Sequence, residues 1–223
     1  MKKFNPGFKL EWKKYIAELL VVFVGVTSAF LLNDWAQKRN SEELENKYIT
    51  SLLDDLKNDS DNLKKTINYS QNNFDSLSYL NYLLSKNFSD TDTLLELSVK
   101  LLNFEYFYPS DVTFETMKSS GGLNIIGGFE IRRKIIKLYS QYEGTILFDD
   151  MIKKYTDGYS IPYFINNTDL RNISGTDLKF YYDKQFSNIL LGYLNILRQK
   201  VSALKKAKLE CDSLRTELEL YIK

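Results

Sequence analysis

Apolar residues follow two patterns along the chain. Between Tyr15 and Trp35 they are nearly continuous, and Leu19 to Leu32 reads LLVVFVGVTSAFLL without a charge. Tyr15, Ile16 and Ala17 extend the run past Glu18 toward the roughly 20 residues a helix needs to cross a bilayer. Tyr15 and Trp35 stand at its ends, where amphipathic rings favour the membrane interface. Elsewhere the apolar residues are spaced. From Ser41 to about Lys86, Leu44, Tyr48, Leu52, Leu56, Leu63 and Ile67 lead on to Leu77, Leu80 and Leu84 at intervals of mostly three, four or seven. That period predicts one long amphipathic helix over residues 41–86, with Asn58-Asp59-Ser60 a place where it could bend.

The same reasoning carries the rest. Asn87 to Asp92 reads as a loop, with Thr91 or Asp92 capping a short helix to Leu102. The aromatic run Phe104-Glu105-Tyr106-Phe107-Tyr108-Pro109 reads first as the end of a helical core and second as an exposed patch for a partner. Ser110-Asp111 precedes a helix that Gly121-Gly122 stops. Phe129 to about Gly158 is helical again, residues 159–182 are irregular, and a last long helix runs over residues 183–223. These elements predict an all-α fold. It consists of an N-terminal transmembrane helix, then an extracytoplasmic helical bundle whose two long helices run antiparallel. In that arrangement Lys205, Lys206 and Lys208 would face Asp54, Asp55, Asp59 and Asp61, fixing register more than stability.

The flanks of the apolar run set its orientation. Lys2, Lys3, Lys9, Lys13 and Lys14 stand against Glu11 before it, and Glu42, Glu43 and Glu45 follow it. The positive-inside rule then gives residues 1–14 as a basic cytoplasmic tail, 15–36 as the anchor and 37–223 as the outer domain. Thr27-Ser28-Ala29 would serve as a signal-peptide cleavage site, but the mature chain would start with Phe30-Leu31-Leu32, so an uncleaved anchor is expected. The expected location is the bacterial inner membrane, with the bulk of the chain periplasmic. Glu18, Gly25, Ser28 and Ala29 fall near one another on the helix, and Gly25-x-x-x-Ala29 permits close helix approach. This face is expected to meet another transmembrane helix; the alternative is that Glu18 reaches the cytoplasmic surface beside Lys13 and Lys14.

Composition removes much chemistry. There is no histidine, so Ser-His and Cys-His pairs and imidazole metal sites are excluded. The single cysteine, Cys211, allows neither an intrachain disulfide nor a cysteine zinc site. A formal charge of +1 does not suggest a nucleic-acid binder. Asp54-Asp55 and Asp149-Asp150 are adjacent on helices and diverge, so they read as solvated charge rather than a proton-sharing dyad. Gly121-Gly122 and Gly127-Gly128 match no phosphate-binding motif. One constellation suits an anion: Ser119, Ser120 and Gly121 with Arg132. Arg132 reads more simply as a partner of Glu115 or a cap of the preceding helix. No cofactor or metal is expected.

Two segments resemble a bacterial family of short single-span membrane proteins without an established activity. The first runs from Glu18 through Leu19-Leu20-Val21-Val22-Phe23-Val24-Gly25 to Asn33-Asp34-Trp35. The second is Thr113-Phe114, Ser119-Ser120-Gly121 and Leu123, with Ile131-Arg132 and Ile135. Phe23 and Thr27-Ser28 depart from the family's aliphatic pattern. The resemblance implies the anchor and the helical topology and supplies no chemistry. The expected function is therefore non-enzymatic: a membrane-anchored subunit or accessory factor whose partners are the bilayer and either another transmembrane protein or a second copy. The alternative is a periplasmic ligand-sensing bundle that signals through a partner helix.

Overall fold

A computed structural model describes residues 12–169 and 171–222; the basic tail as far as residue 11 lies outside them. Among the described residues, seven α-helices follow in chain order: α1 (Trp12–Ser85), α2 (Thr91–Ser98), α3 (Val112–Ser120), α4 (Phe129–Tyr155), α5 (Ile161–Asn167), α6 (Leu178–Tyr182) and α7 (Lys184–Tyr221). No strand occurs among the described residues, so the fold is all-α. The chain divides into two units, residues 1–47 and 48–223. The helix expected over 41–86 is the later part of α1.

In the first unit α1 is exposed throughout its apolar run; Leu19, Val21, Phe30 and Leu32 are each more than 60% accessible. This stretch is long and apolar enough to cross a membrane. Beyond it Arg39 stacks over Trp35 at 5.6 Å, and Glu43 pairs with Lys47 at 2.8 Å.

The second unit is a bundle around the later part of α1, α4 and α7. α1 ends where Asn87 takes the left-handed conformation (φ 55°) and Phe88 and Asn87 donate their N–H groups to Leu83 and Leu84. That closes the last turn in a Schellman motif with asparagine in glycine's usual place. Asp90, rather than Thr91 or Asp92, caps α2 by accepting from Thr93 N. Gly121, at φ 77°, stops α3 as its sequence predicts. A π-helical turn, Thr156–Ser160, joins α4 to α5 just before Pro162. Asp183 caps α7 through Gln185 N at 2.6 Å.

α1 and α7 are antiparallel: Leu56 meets Cys211, Ser60 meets Asp212, and Gln71 meets Lys205. The charge pairing expected between them does not form. Lys208 binds Asp212 in its own helix and Ser60, Lys205 binds Gln71, and Asp59 turns inward. α4 also runs antiparallel to α7, through Lys134–Glu217 and Lys137–Glu210 at the surface.

The interior has two apolar clusters. One gathers Leu52, Leu56, Phe114, Ile135, Tyr142, Leu204 and Leu214; the other gathers Leu77, Leu80, Ile152, Phe164, Phe186 and Leu197. Between them lie buried Thr66, Ser70 and Asn73 of α1, Thr145 and Asp149 of α4, and Lys200 of α7. The core is thus interrupted by a polar belt.

Candidate functional site: a strap held by the polar belt

The belt exists because a length of non-helical chain crosses the bundle there. Residues 103–111 join the end of the α2 region to α3 outside any helix, starting from extended backbone at Asn103 (φ −119°, ψ 135°). A buried main chain without a ladder must find partners one group at a time. Asn73 Nδ2 and Tyr193 Oη both donate to the Asn103 carbonyl, at 3.1 and 3.2 Å. Lys200 Nζ donates to the Glu105 carbonyl. Phe107 N–H donates to Asp149 Oδ2 at 3.0 Å. Past Pro109, Ser110 N–H donates to Asp59 Oδ1 at 2.6 Å and Tyr139 Oη donates to the Ser110 carbonyl at 3.0 Å. Three helices thus replace the neighbouring strand that this strap lacks.

Lys200 and Asp149 also form an ion pair of 2.6 Å, with both side chains fully buried. Burial pushes the Asp149 carboxyl above its usual range, against the opposing pull of Lys200 and the Phe107 N–H. Asp59 is pushed up to about 6, chiefly by burial; the Ser110 N–H bond and the nearby Tyr142 hydroxyl act the other way, and nearby Asp55 adds to the rise. The Tyr139 and Tyr142 hydroxyls are raised by the same desolvation and stay neutral. The Cys211 thiol, buried beside them, is pushed up to about 11, which leaves it a poor nucleophile. The arrangement is suited to holding backbone rather than to moving protons in a reaction.

The signal for this site was present in the helical period. Asp59 falls in phase with Leu52, Leu56 and Leu63, Asp149 with Tyr142 and Ile152, and Lys200 with Leu197 and Leu204. Adjacency alone predicts equal solvation for Asp149 and Asp150; Asp150 is exposed, but Asp149 is fully buried. The aromatic run also divides. Phe107 is buried, whereas Phe104 and Tyr106 are half-buried and Tyr108 is 70% exposed.

The anion-site residues are tied into local structure. Ser119 Oγ donates to the Thr116 carbonyl at 3.1 Å. Ser120 Oγ lies 3.2 Å from Tyr48 Oη and accepts from Gly122 N–H. Arg132 Nη1 donates to Asn124 Oδ1 at 3.2 Å, binding α4 to the turn after Gly121. Glu115, the partner expected for Arg132, pairs with Lys118 instead. Arg132 also borders an open furrow of about 730 Å³ along α4 with Phe129, Arg133, Ile136 and Lys137. On the first unit, Glu18, Gly25, Ser28 and Ala29 are all exposed on α1, and a Cβ at Gly25 would meet nothing within 4 Å. Comparisons with protein-family models, curated proteins and solved structures find no match to the chain.

Proposed function

We propose that the protein is a membrane-anchored, non-enzymatic assembly protein of the bacterial inner membrane. In this reading the α1 segment of about residues 15–36 spans the bilayer, residues 1–14 are cytoplasmic and the bundle is periplasmic, serving as subunit or accessory factor of a membrane complex. The observation that supports it is the contrast in burial. The bundle buries a contiguous set of leucines, Leu52, Leu56, Leu80 and Leu204 among them, and exposes others such as Leu147 and Leu209 singly, whereas the apolar run of α1 is exposed along its whole length. Apolar surface left in water forfeits about 25 cal/mol per Å², so a continuous exposed run calls for lipid or a partner. The chemistry of the bundle agrees, because its buried charged groups are occupied in holding main chain.

Two experiments test the reading. Cysteine placed at Ser41 reacts with an impermeant thiol reagent from outside spheroplasts, and cysteine at Lys3 does not; buried Cys211 leaves little background. The reverse pattern rejects the orientation. For the contact face, Gly25→Leu weakens co-purification of the complex more than Val24→Leu, and Glu18→Leu more than Glu18→Gln, which keeps hydrogen-bonding capacity. Equal behaviour of the Gly25 and Val24 variants rejects that face as a contact.

A further inference from the structure

The end of the bundle at which α1 enters it carries cations that the belt does not use. Tyr48 opens the second unit, and its hydroxyl lies 3.2 Å from Ser120 Oγ. Ser120 stands directly before the turn of Gly121 to Asn124, and Asn124 holds Arg132 near the start of α4. α7 finishes at the same end, where Glu217 pairs with Lys134. Here α4 presents Arg132, Arg133, Lys134 and Lys137, all four lining the open furrow of about 730 Å³. Among the described residues no carboxylate lines it. Three of the cations pair across its rim: Arg133 with Glu130, Lys134 with Glu217 and Lys137 with Glu210. Their side chains stay 45–67% exposed, and surface pairs of this kind are weak and screened by salt, so they yield to a second anion. Arg132 has no carboxylate partner. Its Nη1 donates to the neutral Asn124 amide and its Nε has no partner. Beside these charges stand Phe129, 68% exposed, and Ile136, 45% exposed.

We propose that this furrow seats anionic phospholipid of the bilayer in which α1 is anchored, with the cations on headgroup phosphates and Phe129 and Ile136 in the acyl boundary. A free phosphate would use the cations and leave both apolar side chains in water. An apolar partner would cover those two and leave Arg132 unmatched. An anionic bilayer surface uses both kinds of residue. Chain length favours the bilayer over an acidic protein. Eleven residues lie between residue 36 and Tyr48, a stretch that reaches at most about 40 Å. This is therefore the end of the bundle that the chain holds nearest the bilayer. Tethering of that kind raises the effective concentration of lipid at the furrow and makes a shallow site sufficient.

The inference adds a second bilayer contact to the anchor reading and rests on that reading. Full-length protein is reconstituted into phosphatidylcholine vesicles with or without about one-third phosphatidylglycerol, carrying a quencher on the lipid headgroup. A fluorophore is attached through Ser140→Cys, on the furrow, or through Ser89→Cys, past the other end of α1; both positions are exposed and Cys211 is buried. Anionic lipid quenches the label at residue 140 about twofold more than phosphatidylcholine alone and leaves the label at residue 89 unchanged. The double variant Arg133→Gln with Lys137→Gln, at exposed positions, keeps the wild-type unfolding midpoint and returns the label at residue 140 to its phosphatidylcholine level. Inorganic phosphate added at constant ionic strength leaves the quenching in place; if it abolishes the quenching, the furrow is a free-phosphate site and the docking is overturned. Equal quenching in the two lipid compositions, or no effect of the double variant, also overturns it, and is the outcome expected if the furrow seats a protein instead. Flotation separates the two claims. Protein that floats with the vesicles while residue 140 stays unquenched keeps the anchor and loses the docking, whereas protein that does not float loses both.

Discussion

The two apolar clusters and the polar belt between them stabilise the same bundle by different means. In the clusters, Leu56, Leu80 or Leu204 contributes through area removed from water, which has no direction and tolerates exchange among residues of similar volume. In the belt, each side chain serves a particular main-chain atom: Lys200 serves Glu105, Asp149 serves Phe107, and Asp59 serves Ser110. Loss of one belt residue leaves a buried group without a partner. The comparison predicts that the apolar layers respond to size and the belt responds to chemistry.

The largest effect is expected at Lys200. Lys200→Met roughly preserves volume but leaves the Asp149 carboxylate buried without its counter-ion and the Glu105 carbonyl without a donor. Breaking a buried pair from one side costs about 3–5 kcal/mol, measurable by denaturant unfolding of the full chain in detergent. Replacing both members of a buried pair by apolar residues is often neutral. Here the double variant Asp149→Leu with Lys200→Met should stay about 2 kcal/mol or more below wild type, because two main-chain groups remain orphaned at about 1–3 kcal/mol each. Full recovery in the double variant would show that the strap does not depend on the belt.

In the apolar layer, Leu80→Ala should cost about 2–5 kcal/mol through lost burial and a residual cavity. Leu80→Met, by contrast, should cost under about 1.5 kcal/mol. Equal losses in the two Leu80 variants would contradict the distinction between size and chemistry.

Two helical glycines give a smaller and more local contrast. A Cβ at Gly192 of α7 would lie 2.0 Å from Tyr155 Oη, whose hydroxyl donates to the Ile189 carbonyl at 3.3 Å. Gly192→Ala must displace that ring, and overpacking of about 1–3 kcal/mol exceeds the gain of about 1 kcal/mol in helix propensity. At Gly144 of α4 a Cβ meets nothing within 4 Å, so Gly144→Ala should stabilise by about 0.5–1 kcal/mol. Opposite signs in thermal unfolding check the pair.

The helices were legible because their signals are local. Period 3.6 marked the later part of α1, α4 and α7, and Gly121 marked the end of α3. The antiparallel placement of α7 on α1 was legible as well, but the charge argument offered for it was not sound: Lys205 and Lys208 found Gln71, Ser60 and Asp212, and Asp59 faced the interior. The strap was not legible. Its residues carry no helical or strand period of their own, and its partners come from positions 59, 73, 139, 149, 193 and 200, separations that local pattern cannot join. What the sequence does offer is a polar residue in the apolar phase of each long helix. Reading Asp149 by its neighbour Asp150, instead of by Tyr142 and Ile152, concealed it.

The last prediction concerns Asp59, and it separates the two kinds of layer by pH. Asp59 Oδ1 accepts the Ser110 N–H, while Oδ2 is buried without a hydrogen-bond partner. The groups around it are Asp55 on α1, Ser110 on the strap, Tyr139 and Tyr142 on α4, and Cys211 on α7. The folded-state pKa of about 6 lies above the ordinary aspartate value of 3.8. The folded protein therefore holds this proton more tightly than the unfolded chain does. Its stabilising contribution is complete below about pH 4 and is lost as pH rises through about 6. Two pKa units correspond to somewhat under 3 kcal/mol, and screening reduces that to about 1–2 kcal/mol. Asparagine keeps the Oδ1 acceptor, stays neutral at every pH and offers an N–H donor in place of the bare oxygen. Asp59→Asn should thus be more stable than wild type by about 1–2 kcal/mol at pH 7.5 and nearly equal to it at pH 4. Other carboxylates contribute equally to both proteins, so the difference between their unfolding free energies isolates this group. A difference that stays constant from pH 4 to 7.5 would show that Asp59 does not titrate in this range and that its burial is balanced by other contacts.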